Sequence, residues 1–165
     1  MHAGEITLTV HARAGLAGAI IGLVWLVAIP NHAAAVGPPH VVEMLNTHQG
    51  QMMAFSQPLM RVKVGATVVW KATDKTHSVR FVARAVPQGV KPLRGVFNED
   101  AQYTFETPGV YVYKCPAHYG MGMIGVVVVG EDLHNLEAVK AINLLPAAQK
   151  RLDNLLASLS GKRPT

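Results

Sequence analysis

The sequence predicts an all-β protein, an antiparallel sandwich of short strands that ends in two helices. Three observations support this. Many short β-prone runs, separated by turn residues, fill the chain between residues 41 and 129. No helical periodicity interrupts them, which favours a sandwich over an alternating α/β arrangement. After Glu131 the apolar residues change to helical spacing.

Length and composition are those of one globular domain. The chain has 165 residues, of which 50% are hydrophobic and 15% are charged, and its formal net charge is +5. So much apolar surface with so few charges excludes a disordered protein. The single cysteine, Cys115, excludes an intramolecular disulfide and the multi-cysteine zinc and iron–sulfur patterns.

The N-terminus is typical of an export signal. Residues 14–29 form an apolar run that follows Arg13 and precedes the small residues 33–35. The run is 16 residues long, whereas a membrane-spanning helix usually needs about 20. We therefore expect residues 1–35 to be a signal peptide for the general secretory route, which places the protein in the periplasm. An uncleaved membrane anchor is the alternative.

The predicted strands are short and vary in spacing. Gly65 and Ala66 form a hairpin-like break between the second and third strands, and the turn at 107–109 precedes another. The loop at 83–100 is long enough to suggest a packed or functional connection. The predicted strands are residues 41–46, 59–64, 67–71, 78–82, 103–106, 110–114 and 124–129.

Two helices are predicted in residues 131–165. Pro146 suits the first turn of the second helix, and Gly161 suits its end. Both apolar stripes are most simply packing faces against the sandwich. The stripes consist of Leu133, Leu136, Val139 and Ile142 in the first helix, and Leu152, Leu155, Leu156 and Leu159 in the second.

A cluster of metal-ligating residue types is the most specific signal in the chain. Cys115, His118 and Met123 fall within nine residues, and His77 lies upstream at the start of a β-prone run. Thiolate and thioether ligands favour Cu(I) and imidazole supports Cu(II), so this set suits a copper ion that cycles between both states. An exported protein with one unpaired thiol also needs something to occupy that thiol, and a metal is the first candidate. Zinc at the same ligands is a chemical alternative.

The motifs around these residues resemble those of the cupredoxins, the type 1 blue copper proteins, and among them the pseudoazurins. The resemblance extends from about residue 41 to residue 159 and is strongest in the ligand loop. The motifs that carry it are Glu-Met-Leu-Asn at 43–46, Thr-Asp-Lys-Thr-His-Ser-Val at 73–79, Thr-Pro-Gly-Val-Tyr at 107–111 and the segment 114–124.

The resemblance implies a cupredoxin-like Greek-key sandwich over residues 36–130, a helical extension over 131–165, and one type 1 copper ion. His77, Cys115 and His118 are then the equatorial ligands and Met123 the axial one, with Met121 as the alternative axial ligand. The implied function is single-electron transfer rather than catalysis. A copper-handling protein without a dedicated redox partner is the alternative.

The resemblance also implies an electron port at His118, set in an apolar patch of Pro116, Ala117 and Met121. Met53 is expected to pack near this histidine, with ordinary core filling as the alternative. Two residues depart from the family pattern. Ser78 stands where an Asn that braces the ligand loop is common, and Ala117 stands where a Pro is usual.

Basic residues near the predicted copper end suggest the partner. Lys75, Arg94 and Lys114 are expected to steer acidic redox proteins, by analogy a nitrite reductase or a protein of the cytochrome c type, although scattered solvated lysines are the simpler alternative. The sequence has no dense basic run of the kind that binds nucleic acid, so we expect no nucleic-acid partner. No cleft for a small-molecule substrate is evident from the sequence. We expect a monomer.

Overall fold

The computed structural model describes residues 37–159, which belong to one compact unit of the chain. The predicted signal peptide at 1–35 and the predicted helix end at Gly161 lie outside the described residues. The strands are β1 (His40–His48), β2 (Gln51–Phe55), β3 (Leu59–Val62), β4 (Thr67–Lys71), β5 (Arg80–Phe81), β6 (Ala101–Thr104), β7 (Gly109–Lys114) and β8 (Ile124–Val129). The helices are α1 (Leu136–Lys140) and α2 (Pro146–Leu159), with a short 3-10 turn at Tyr119–Met121.

The strands form two four-stranded sheets, ordered β2-β1-β4-β6 and β3-β8-β7-β5. The predicted sandwich with two C-terminal helices is confirmed. The pairing is mixed, however, because β4 runs parallel to β1 and β8 runs parallel to β3, while the other described pairs are antiparallel. The chain changes sheets between β2 and β3 and again between β3 and β4. Consecutive strands therefore need not be hydrogen-bonded neighbours, and β4 returns to the first sheet beside β1.

Two details of the first half differ from the sequence prediction. Strand β2 was not predicted, because Gln51–Phe55 has neither β-branched residues nor strict alternation. Gly65 and Ala66 do not form a hairpin, since the strands on either side of them lie in different sheets. Gly65 instead donates its backbone N–H to the carbonyl of Phe105 at 2.8 Å, which ties this turn to the first sheet.

Two layers of core hold the molecule together. The larger lies between the sheets, around the aromatic side chains of Trp70, Phe105, Tyr111 and Tyr113, all fully buried. The smaller lies between the second sheet and the helices and includes Leu152 of α2. Each fully buried large apolar side chain stabilises the folded state by about 1.5–3 kcal/mol. The packing of the helices on the second sheet therefore stabilises the fold. All residues of the two predicted stripes pack in this layer except Leu133, which is exposed and lies before α1. Pro146 is the first residue of α2.

The strands β7 and β8 are the centre of this arrangement. They are buried along nearly their whole length, because one face packs on the first sheet and the other on the helices. The two strands pair from Gly109–Val129 to Lys114–Ile124. The loop that joins them is thus held at the end of a hairpin that is buried on both faces. None of the helices within residues 37–159 is long and apolar enough to cross a membrane.

Candidate metal centre

The loop between β7 and β8 carries most of the predicted metal ligands. Lys114 and Ile124 are the last pair of the hairpin, so the nine residues between them form its loop. The backbone N–H of Cys115 donates to the carbonyl of Met123 at 3.0 Å, which closes the loop at its base. The carbonyl of His118 accepts from the N–H groups of Met121 at 3.0 Å and Met123 at 3.2 Å. These bonds hold the loop backbone in its shape.

His77 reaches the same point from the segment between β4 and β5. Its Nδ1 lies 3.8 Å from the Sγ of Cys115 and 3.2 Å from the Nδ1 of His118. The Sγ of Cys115 lies 3.5 Å from the Nδ1 of His118. Ligand atoms that share one ion at bond lengths of about 2.0–2.3 Å are separated by such distances. His77, Cys115 and His118 therefore fit a three-coordinate metal site with one thiolate and two imidazoles.

Burial distinguishes the two candidate axial ligands. Met123 is fully buried and its backbone bonds to both Cys115 and His118, whereas the side chain of Met121 is 49% exposed. Trigonal Cys-His-His sites of this kind take a weak axial ligand such as methionine. These observations support Met123 as the axial ligand and Met121 as part of the surface patch.

Asn46 orients the buried ligand His77. Its Oδ1 faces the Nε2 of His77 at 3.1 Å, so Nε2 carries the hydrogen and Nδ1 presents its lone pair toward Cys115. Asn46 is itself held by Asp74, whose Oδ2 accepts from the Asn46 backbone N–H at 2.6 Å. Burial, and secondarily the neighbouring His118, hold the pKa of His77 below its ordinary value, although Asp74 acts in the opposite direction. The neutral imidazole that a metal needs is thus favoured.

A second asparagine braces the other side of His77. The Oδ1 of Asn98 accepts from the backbone N–H of Thr76 at 2.6 Å, and the Asn98 N–H donates to the carbonyl of His77 at 2.9 Å. Ser78 donates its hydroxyl to the carbonyl of Gly95 at 3.0 Å. The end of the long loop between β5 and β6 therefore supports the first ligand.

Sequence reasoning missed Asn46 and Asn98 as supporting residues. Asn46 lies within a β-prone motif and Asn98 within the long loop, 31 positions before and 21 positions after His77. The only signal in the sequence is the location of each amide side chain. Asn46 lies towards the end of a β-prone run, and Asn98 lies in a loop rich in turn residues.

The residues predicted to form the electron port lie in the ligand loop and differ in exposure. His118 and Pro116 are half-buried, while Ala117 and Met121 are exposed. Met53 is half-buried, has a φ of 49° and packs against the core between the sheets. Met53 therefore packs on the same core that contains Cys115 and Met123.

The basic residues form a row across neighbouring strands. Arg80 pairs with Lys114 on β7 and forms a β-bridge with Arg94, so the three cations are lateral neighbours. The ion pairs between described residues are His134–Asp132 and Lys140–Glu137, neither of which neutralises this row. Burial and the charge of Arg80 lower the pKa of Lys114, whose Nζ lies 3.9 Å from the ring centroid of Tyr119. Lys75 is exposed beside Thr76.

Arg80 was not among the predicted docking residues, because its relation to Lys114 arises from strand pairing rather than from sequence spacing. Directly opposed like charges on adjacent strands are unfavourable. None of the ion pairs between described residues involves these three cations, so the positive charge is concentrated on this part of the surface.

Comparisons with known proteins agree with this centre. Residues 42–130 match the family model described as copper binding proteins of the plastocyanin/azurin family. The pseudoazurin of Methylorubrum extorquens is 37% identical over 147 residues, covering 89% of this chain and 97% of the relative. The pseudoazurin of Paracoccus pantotrophus is 35% identical over 150 residues, covering 91% and 98%.

Solved structures give the same result. The crystal structure of pseudoazurin from Methylobacterium extorquens superimposes with a TM-score of 0.72 at 38% identity, over 74% of this chain and 99% of that one. The pseudoazurin of Hyphomicrobium denitrificans gives a TM-score of 0.70 at 38% identity, over 73% and 98%.

The fold and the Cys-His-His centre define a cupredoxin, and the chain belongs to the plastocyanin/azurin family of copper binding proteins. Within that family its nearly full-length matches are to pseudoazurins. It is thus a copper electron-transfer protein that binds one copper ion and exchanges electrons with redox-protein partners.

Proposed function

We propose that this protein is a periplasmic type 1 copper electron carrier that serves denitrification or a related respiratory chain and performs no catalysis of its own. His77, Cys115 and His118 would hold the copper in the equatorial plane, with Met123 axial. The observation that carries this assignment is the convergence of the three ligand atoms to separations of 3.2–3.8 Å. When bound, copper supplies a one-electron couple between Cu(II) and Cu(I).

The chain's own residues perform three tasks in this function. Asn46 and Asn98 hold His77 in place, so that the ligand geometry resists change when the charge of the site changes. The closed loop from Cys115 to Met123 keeps the thiolate and the axial sulfur away from water. His118, half-buried within an apolar patch, is the port through which a docked partner exchanges electrons.

The proposed partners are acidic redox proteins, with a nitrite reductase as acceptor and a cytochrome of the c type as donor by analogy. The unpaired row of Arg80, Arg94 and Lys114 supports a partner of negative charge. Exposed Lys75, close to His77 in the chain, adds to the same field. We propose that the carrier acts as a monomer.

Optical spectroscopy of the copper-loaded protein tests the assignment. The expected result is an intense thiolate-to-copper absorption band that bleaches on reduction and returns on oxidation. Cys115→Ser should abolish the band, whereas Met121→Leu, which changes only the exposed methionine, should retain it. A colourless protein after copper loading would overturn the type 1 site. A blue protein that exchanges no electrons with any redox protein would instead indicate copper handling.

The proposed export rests on the apolar run at 14–29 and the small residues after it. We propose that residues 1–35 are removed and that residues 36–130 form the sandwich and 131–165 the helical extension. Intact-mass measurement of the protein from a periplasmic extract would give the mass of the chain from residue 36. Recovery of the full 17.7 kDa chain from the membrane fraction would favour the uncleaved anchor.

A further inference from the structure

The aromatic side chains between the sheets form a continuous chain that begins beside Cys115. Tyr113 lies two residues before Cys115, and both side chains are fully buried in the core between the sheets. The ring of Trp70 packs edge-on against that of Tyr113, with their centroids 5.2 Å apart. Aromatic rings at this separation are in direct contact. A phenol and an indole, the two most easily oxidised aromatic side chains, thus lie in sequence next to the cysteine.

Tyr103 on β6 is the outer end of this chain. The ring of Phe105 bridges to it, because its centroid lies 6.4 Å from that of Trp70 and 5.1 Å from that of Tyr103. Trp70 also pairs across the sheet with Ala101, two positions from Tyr103, so Trp70 and Tyr103 are diagonal neighbours on one face of the sheet. Tyr103 is half-buried and lines a surface cleft of about 330 Å³. The aromatic chain therefore reaches solvent at Tyr103.

Trp70 has an unusual environment for an indole. Its Nε1 is buried and has no hydrogen-bond partner among residues 37–159, although the N–H of a buried indole usually finds one. An indole that loses one electron becomes a radical cation, and its acidic proton is the one on this nitrogen. Because no acceptor lies within bonding distance of Nε1, the proton stays in place and an electron alone restores the ring. Trp70 can therefore carry charge without transferring a proton.

Tyr103 has the opposite property, because it reaches water. A phenol releases its proton when it loses an electron, and the radical needs a proton when it is reduced again. Water at the cleft can take up and return that proton. An oxidising equivalent that arrives at this face of the first sheet would therefore come to rest on Tyr103.

We propose that Tyr103, Trp70 and Tyr113 form a relay through which the reduced metal centre discharges small inorganic radicals, of which the nitrogen dioxide radical is the representative. The proposal rests on the proposed function, because the reduced copper site is the source of the electron. The exit at Tyr103 is distinct from the proposed electron port at His118, and it serves the removal of radicals rather than exchange with redox proteins.

The electrons and protons of this reaction balance. The nitrogen dioxide radical takes one electron from the phenol of Tyr103 and leaves as nitrite, while the phenolic proton passes to water. The Tyr103 radical regains an electron from Trp70 and a proton from water. The Trp70 radical cation is then reduced through Tyr113 by the metal centre, which changes from Cu(I) to Cu(II). The net reaction converts one nitrogen dioxide radical and one Cu(I) into nitrite and Cu(II).

Pulse radiolysis of the reduced copper protein, with nitrogen dioxide radicals as the oxidant, tests the relay. The background variant is Tyr119→Phe, because half-buried Tyr119 lies in the ligand loop and offers a second phenol to the oxidant. In this background the tyrosyl absorption is expected to decay in a first-order step, independent of protein concentration, while the blue absorption grows at the same rate. Tyr103→Phe should abolish the tyrosyl signal.

Two further variants locate the route. Trp70→Phe should abolish the first-order step, so that the tyrosyl radical persists and decays only by collision between molecules. Tyr111→Phe is the matched control, because it removes a buried phenol that is not part of the relay, and it should behave like the background. The blue absorption and the unfolding midpoint of each variant verify that it folds and binds copper.

The zinc-loaded protein gives a second readout, since zinc accepts the same nitrogen and sulfur ligands and has no redox chemistry. In the zinc form the Tyr103 radical cannot be reduced and should combine with a second nitrogen dioxide radical. Mass spectrometry of peptides is therefore expected to show strong nitration of Tyr103 in the zinc form and weak nitration in the reduced copper form. Trp70→Phe should lose this protection, whereas Tyr111→Phe should keep it.

The outcomes separate the relay from the proposed function. A blue, folded Trp70→Phe protein that retains the first-order step would overturn the relay and leave the proposed function intact. If Trp70→Phe does not fold, the unmodified chain decides, because equal nitration of Tyr103 in its zinc and reduced copper forms would contradict the relay. Absence of blue absorption in the copper-loaded, unmodified protein would instead overturn the proposed function.

Discussion

Single residues decide how the ligand atoms are aimed. The lone pair on the Nδ1 of His77 faces the Sγ of Cys115 because Asn46 occupies the opposite nitrogen. Asn98 then fixes the backbone on either side of the ring. Partners of this kind commonly change metal affinity by about 10–100-fold when they are removed. Asn46 and Asn98 therefore belong to the copper site although neither is a ligand.

Replacement of Asn46 by Ala should weaken copper binding roughly tenfold, because the His77 ring loses the acceptor that selects its tautomer. Competition with a copper chelator measures the affinity. Asn143→Ala, at an exposed position in the loop between the helices, is the control and should bind copper normally. Equal affinities for both variants would show that Asn46 does not orient the ligand.

The lowered pKa of His77 predicts a pH dependence of stability in the copper-free protein. Above the ordinary value of 6.5 the imidazole is neutral in both states, and below it the unfolded chain takes up a proton before the folded one. The free energy of unfolding should therefore fall as the pH drops below about 6.5. Denaturation by urea across this range tests it, and His77→Asn should show a smaller pH dependence than the unmodified chain. Identical dependences would contradict the assignment.

Elements decide where the ligand loop lies. Strands β7 and β8 are buried on both faces, and the side chain of Tyr113 occupies the space above Gly125. The Tyr113 hydroxyl donates to the carbonyl of Gln57 at 3.0 Å, which joins this hairpin to the link between the sheets. The loop of the hairpin in turn contacts α2 at Gly122. The helical extension is thus coupled to the copper loop through backbone contact.

Gly122 tests that coupling. Its φ of 87° is strained for any other residue, and a Cβ there would press on the carbonyl of Ala147. Gly122→Ala should therefore lower the free energy of unfolding by about 1–3 kcal/mol. Gly120→Ala is the matched control in the same loop, since its Cβ would make only an ordinary contact of 3.8 Å with Leu145. Chemical denaturation of the two variants should separate them, and similar losses would argue against the close contact.

At the scale of the whole molecule, the proposed electron port is accompanied by a row of cations that no ion pair between residues 37–159 neutralises. The row of Arg80, Arg94 and Lys114 runs across three adjacent segments, and Lys114 directly precedes the ligand Cys115. Fields of this kind raise the rate of encounter with oppositely charged partners and are screened by salt. If the row steers partners as we propose, the part of the net charge of +5 that acts in docking is the part close to the copper site.

Electron exchange with an acidic redox protein should slow as ionic strength rises from about 0.01 to 0.5 M, where the Debye length falls from about 30 Å to a few ångströms. Arg80→Gln should reduce both the low-salt rate and its dependence on salt, because it removes the middle charge of the row. Lys91→Gln, an exposed cation elsewhere in the long loop, is the control. Plots of rate against salt that coincide for Arg80→Gln and the unmodified protein would exclude the row from docking.

The sequence by itself determined the ligand set, the sandwich and the helical tail. The chemistry of a metal ligand depends on its residue type. The sole Cys115, with His118 and Met123 close to it in the chain, could therefore be predicted as ligands from the sequence. The apolar stripe of α2 that includes Leu152 could also be predicted, because residues on one face of a helix recur every three or four positions.

Only the tertiary structure decided the parallel pairs, strand β2, and the surroundings of Asn46, Asn98, Arg80 and Arg151. Each of these depends on groups from distant segments, such as Arg80 beside Lys114 or Asn46 beside His77. The buried Nε of Arg151 likewise arises from the packing of α2 on the sandwich and the copper loop. Long-range packing brings such groups together, and these contacts cannot be predicted from the spacing of residues along the chain.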